Sequence, residues 1–196
     1  MLFLTPHLEQ VKPPKRLHYE FRKSGSLEKG FTETLDVDIS TGSDGKRKIA
    51  MRSFSSTGQR QSPEFESTET NPALLFYLNR EISEMQRLTR GSPFHFAKQI
   101  RIALAESAKI KDVDIHFDGQ TLRAQQITIS PYQSDPYHDR YPDQRLTAKQ
   151  YTFTVCDAVP GELYEVRGLV PAPSGSPGDE PVIDETLRLS SAGAAK

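Results

Sequence analysis

The stretch LHYEFR alternates strictly. Leu17, Tyr19 and Phe21 fall on one side and His18, Glu20 and Arg22 on the other. A period of two with one apolar side predicts a half-buried β-strand. The pattern returns at Phe31, Leu35, Val37 and Ile39, and a third strand carries Ile49 and Met51. Gly30 supplies the turn before the second strand. Asp44-Gly45, a strong hairpin dipeptide, supplies the turn before the third. The polar run from Ser55 to Thr70 is expected to hold a short edge strand or a loop.

The period then changes. Leu74, Leu75, Leu78, Ile82, Met85 and Leu88 recur at spacings of three and four, which predicts an amphipathic helix over about 72–89. Asn71 is placed as its N-cap, Pro72 suits its first position, and Gly91 is expected to end it. Ser92 and Pro93 are expected to cap and start a second helix over about 93–108. Its buried side carries Phe96, Ile100, Ala103, Leu104 and Ser107.

Alternation resumes at Val113, Ile115 and Phe117, with Asp118-Gly119 as a further hairpin turn. In TLRAQQITI the apolar parity switches between Ala124 and Ile127, which predicts a bulge at Gln125-Gln126. A long polar loop, SDPYHDRYPDQR, precedes a strand with Tyr151, Phe153 and Val155 and its hairpin partner beyond Pro160-Gly161. PAPSGSPGDEP has a linker-like composition. The expected organisation is a loose N-terminal arm over 1–16, one domain over 17–171, and a flexible tail over 172–196. That tail holds at most a weak edge strand at 182–189.

Hairpins with one polar face each assemble as antiparallel sheets. The expected fold is therefore α+β. A curved antiparallel sheet of about seven to nine strands forms a half-barrel, with a two-helix insertion packed on its concave face. This element order, with NPALLFYLNREISEM ahead of the second run of strands, resembles the LolA/LolB-like periplasmic fold over roughly Leu17 to Pro171. In that family acyl chains of lipoproteins lie between sheet and helices. The resemblance implies a non-catalytic bacterial envelope protein. This chain differs in having no lipobox cysteine at its start and no tryptophan, so neither lipidation nor the same cargo carries over.

Composition narrows the picture. Hydrophobic residues make up 35% of 196, and 14 prolines with 12 glycines imply many turns. A formal charge of −1 argues against a general nucleic-acid binder. A single cysteine, Cys156, excludes an internal disulfide and a cysteine-built metal site, and reads as a structural thiol. No run of eighteen apolar residues is present, so no transmembrane helix is expected. The expected compartment is the periplasm, with a leader not contained in this stretch; the cytoplasm is the alternative.

Three places carry candidate chemistry. Asp135, His138, Asp139 and Asp143 crowd one loop, but a long loop lacks the rigid, separated ligands of a metal site, so no metal and no cofactor are expected. Asp112, Asp114, His116 and Asp118 share a strand face that reads as a wet surface; a hydrolase using His116 or His138 is the weakest function. The third place is the helix corner RLTRGSPFHFAKQIR. Its Arg87, Arg90, Lys98 and Arg101, with Phe94, His95 and Phe96, are the expected rim of a binding groove, reinforced by the free N–H groups that open the second helix. Two functions remain open from sequence. One is a carrier-like module holding a lipid or acyl ligand in an apolar groove. The other is an envelope interaction protein using the basic corner or a sheet edge. The oligomeric state is open.

Overall fold

The computed structural model of the chain describes residues 2, 6–55, 58–62, 65–66, 70–174, 176 and 178–194. The strands are β1 (Lys15–Ser24), β2 (Phe31–Thr41), β3 (Arg47–Ser55), β4 (Gly58–Gln61), β5 (Phe65–Glu66), β6 (Lys109–Phe117), β7 (Gln120–Ile129), β8 (Gln150–Val155), β9 (Leu163–Val170) and β10 (Ile183–Gly193). The helices are α1 (Pro72–Thr89) and α2 (Pro93–Glu106). The strands join one antiparallel sheet in the order β4-β3-β2-β1-β10-β9-β8-β7-β6, with β5 added on β3. The architecture is the expected α+β one: a curved open sheet with a two-helix insertion.

The order gives the helices a definite job. β1 to β5 form one meander and β6 to β10 another, and they meet where β1 pairs with β10. The chain must therefore pass from the β4–β5 edge to the opposite edge at β6. The helices make that crossing over one face, α1 against β2 and β9, α2 against β7. They cover the inward side of the alternating strands, including Tyr19, Phe21, Leu35, Val37, Tyr151 and Phe153, all at most 2% exposed. Fully burying one such side chain stabilises by ~1.5–3 kcal/mol. The space beneath the helices, where an apolar groove was expected, is occupied by buried aromatics: Phe21, Tyr77, Phe96, Tyr132, Tyr151 and Phe153.

Several expectations need correction. The segment read as a weak edge strand, 182–189, is the core of β10, hydrogen-bonded on both sides to β1 and β9. Its Leu187 and Leu189 are buried, so the polar Thr186, Arg188 and Ser190 that alternate with them mark an outward face and not an edge. The N-terminal arm, where described, is packed: Leu8 and Val11 are buried, and the Arg47 guanidinium donates to the carbonyls of Leu8, Glu9 and Val11. β7 keeps one register through Gln125-Gln126, so the parity switch there is not a bulge; a register shift lies instead between Thr154 and Val155, where β8 meets β9. The α1 stripe is rotated. Tyr77 and Glu81 face the core, and Leu75 is 37% exposed.

Candidate functional site: the helix corner

The corner starts with how α1 stops. Arg90, at φ 59, takes the left-handed position, and its N–H donates to the Gln86 carbonyl. The expected terminator, Gly91, has another role: a Cβ there would lie 2.6 Å from Cζ of Phe96, whose ring packs against the glycine backbone. Ser92 starts α2 through its carbonyl, which accepts from the N–H groups of His95 and Phe96; its hydroxyl makes no cap. Asn71, by contrast, caps α1 as expected, its Oδ1 accepting from Ala73 N–H at 2.9 Å.

The long loop folds back onto this corner. Asp135 is fully buried and joins the two. Its Oδ2 lies 2.7 Å from His95 Nε2 and accepts the Tyr141 hydroxyl, while Oδ1 accepts Tyr137 N–H at 2.9 Å. Burial alone would raise the Asp135 pKa. The hydrogen bonds from Tyr141, Tyr137 and His95 outweigh it and hold the carboxyl below its usual value. Burial, with the charge of Asp135, pushes the Tyr141 phenol up. Phe96 packs edge-on against Tyr132 and Tyr141, with ring centres 5.7 and 6.3 Å apart.

Between loop and helices an open cavity of about 270 Å³ remains. Thr89, Arg90, His95, Phe96, Arg140 and Tyr141 are among its lining residues. The Arg140 guanidinium sits 4.9 Å over the ring of Tyr137, a cation–π contact. Phe94 projects at 87% exposure, and Arg90, Lys98 and Arg101 are exposed. Among the described residues no carboxylate pairs with Arg90, Lys98, Arg101 or Arg140. Arg87 does not belong to this free set: it is bound to Glu28 and Glu84. Of the seven corner residues singled out in the sequence, the structure thus brings Arg90, His95 and Phe96 to the cavity. It leaves Phe94, Lys98 and Arg101 outside on α2, and ties Arg87 up. Sequence reading missed Tyr137, Arg140 and Tyr141, because the loop's docking onto α2 depends on Asp135 reaching His95, forty positions away.

The other candidate chemistry disperses. Asp143 caps a short 3₁₀ turn and pairs with Arg145; His138 bonds the Asp135 carbonyl and Asp139. Among the described residues no group of three or more His, Cys, Asp or Glu side chains is placed to hold a metal ion. Asp112 and Asp114 pair with Arg123 on the exposed sheet face, and His116 bonds Thr121. Cys156 is buried, its thiol donating to the Arg123 carbonyl.

One feature has no sequence signal at all. Beneath α1, Lys149 Nζ lies 2.6 Å from Glu81 Oε2 and 3.5 Å from Glu185 Oε2, and Lys23 Nζ lies 2.9 Å from Glu185 Oε1 and contacts Glu84. Lys149 and Glu81 are fully buried. Among the described residues, neither carboxyl oxygen of Glu81 makes a hydrogen bond of good geometry, and the buried Tyr77 hydroxyl has no hydrogen-bond partner. Gly168 makes room for that hydroxyl, since a Cβ there would stand 2.6 Å from it. Burial pushes Glu81 up to about 8, against the pull of Lys149 and with the push of Glu185. Glu185 goes the other way: burial is outweighed by the charges of Lys149 and Lys23, and it is held down at about 2. The two carboxyls are thus pushed apart, Glu81 towards its neutral form and Glu185 towards its charged one. Buried at Lys149, Glu81 and Glu185, this cluster fixes α1 on the sheet.

The fold and corner define a class, an antiparallel open sheet crossed by a helix pair, with a cationic aromatic corner. No family model matches the chain, and no curated protein does. Among solved structures the chain is similar to "Crystal structure of MucB", at 12% identity over 97% of this chain and 56% of that one, with a TM-score of 0.41. It is similar to the Pseudomonas aeruginosa MucA/MucB complex at 14% identity, 97% and 56% coverage and a TM-score of 0.40. It is also similar to the LolA superfamily protein NE2245 from Nitrosomonas europaea, at 11% identity, 97% and 92% coverage and a TM-score of 0.24. The chain spans about half the length of the MucB chains it matches. At these values the similarity is one of layout.

Proposed function

We propose that this chain is a non-catalytic binding module of the periplasm that holds an anionic partner at the helix corner. The observation that carries this reading is the open cavity of about 270 Å³ at which Arg90 and Arg140 stand without a described carboxylate beside three aromatic rings. Arginine in such a setting favours carboxylate and phosphate groups, and an aromatic wall holds the apolar part of what bears them. Other surface arginines are paired, as Arg16 is with Asp38 and Arg167 with Asp184. The filled space under the helices supports binding at the corner in preference to an acyl groove.

The test is retention of an acidic peptide, oligo-glutamate carrying a fluorophore, followed by anisotropy. The double variant Arg90→Glu, Arg140→Glu is expected to lose binding while keeping its melting temperature. Undiminished binding rejects the corner. Recovery of the native protein with cytosolic markers, and not after osmotic shock, rejects the compartment. Native mass spectrometry showing a retained acyl ligand would return the carrier reading in its place.

A further inference from the structure

We infer that the corner docks on an anionic phospholipid surface, with Phe94 entering the interface and Arg90 and Arg140 receiving a headgroup phosphate. This deepens the reading above and rests on it. Phe94, Lys98 and Arg101 stand at i, i+4 and i+7, so they line one outward stripe of α2 about 10 Å long. A protruding aromatic followed by cations on the same stripe matches the chemistry of an interface-bound helix: the ring enters the headgroup boundary and the long cationic stems stay in the polar layer. Phe94 makes no described ring contact and is 87% exposed, which is unusual for a large apolar side chain with no partner. Tyr137, 48% exposed under the Arg140 guanidinium and packed edge-on against His95, adds a second amphipathic ring at the corner. The stripe is free of acid until Glu106 at the end of α2, and no described carboxylate screens its cations. An acidic peptide would satisfy the arginines too, but it leaves Phe94 in water; a headgroup layer covers ring and cations together.

The experiment is co-sedimentation of the full chain with vesicles of phosphatidylcholine alone, and of equimolar phosphatidylcholine and phosphatidylglycerol. Binding is expected on the anionic vesicles only, and it should weaken as salt is raised. Each cation removed near the surface is worth about a fivefold change in partition, so Arg90→Gln with Arg140→Gln is expected to weaken binding about 25-fold. Phe94→Ser is expected to weaken it about tenfold with no loss of melting temperature. Lys48→Gln on β3 removes charge far from the corner and should leave binding unchanged. No binding to anionic vesicles, equal binding to neutral ones, or indifference to the corner variants overturns the inference. If vesicle binding fails while the oligo-glutamate peptide still binds through Arg90 and Arg140, the lipid surface is wrong and the anion-binding corner stands. If neither binds, both fall.

Discussion

At the scale of residues, the energetic weight lies in groups whose partners are distant in sequence. Glu81 is the sharpest case. Its folded pKa, raised by burial to about 8, exceeds the ordinary 4.5, so between these values the folded state holds a proton that the unfolded state has lost. Stability from this group is therefore present below about 4.5 and is lost as pH rises towards 8, at up to about 1.4 kcal/mol per pH unit. Glu185 has the opposite sign: its pKa is depressed, so its contribution is present above 4.5 and is lost as pH falls towards about 2. The melting temperature is expected to fall between pH 5 and 8, and Glu81→Gln is expected to flatten that fall. An unchanged slope in the variant would show that the proton sits elsewhere. Lys149→Ala leaves Glu81 without its cation in the core, while Lys23 still pairs with Glu185, and is expected to cost ~3 kcal/mol in chemical denaturation, far above the cost of an exposed lysine. At the corner, Gly91→Ala drives a Cβ into the buried Phe96 ring. A loss of ~1–3 kcal/mol is expected, although Arg90, not Gly91, carries the left-handed backbone.

At the scale of elements, β10 decides most. The composition of the tail suggested an accessory. The structure makes this strand the seam of the sheet, because β1 has no other partner on that side. Ending the chain at Pro181 is expected to abolish cooperative folding, whereas loss of a true edge strand would leave a sigmoidal melt by circular dichroism. α1 is held by more than its apolar stripe. Asn71 caps it and also donates through Nδ2 to the Tyr19 hydroxyl and the Gly161 carbonyl, tying the helix start to β1 and to the β8–β9 turn. Loss of an N-cap alone costs ~1 kcal/mol. Because two buried acceptors lose their donor as well, Asn71→Ala is expected to cost about 2–4 kcal/mol in the same denaturation measurement.

At the scale of the whole molecule, two meanders share one sheet and one helix-covered core. The β1–β10 ladder joins residues 160 or more positions apart, so neither half can complete its sheet without the other. Thermal unfolding is expected as a single transition, coincident in far- and near-UV circular dichroism. Two separated transitions would mean that the meanders are independent units.

What the sequence by itself determined is local. The strand alternations, the two helix spans, the Asn71 cap and the hairpin turns at Asp44-Gly45 and Asp118-Gly119 are set by side-chain periodicity and backbone preference within a few residues. The cationic aromatic corner was legible for the same reason: Arg90 to Arg101 are neighbours along the chain. Tertiary structure alone decided whatever depends on distant partners. Glu81 reads as a surface residue until Lys149 and Glu185 meet it. Arg87 reads as free until Glu28 does. The loop reads as solvent until Asp135 finds His95 and brings Arg140 to the cavity. Pattern records which side of an element is apolar; it does not record which charge on the other side will be neutralised, because that depends on which elements the sheet order places face to face.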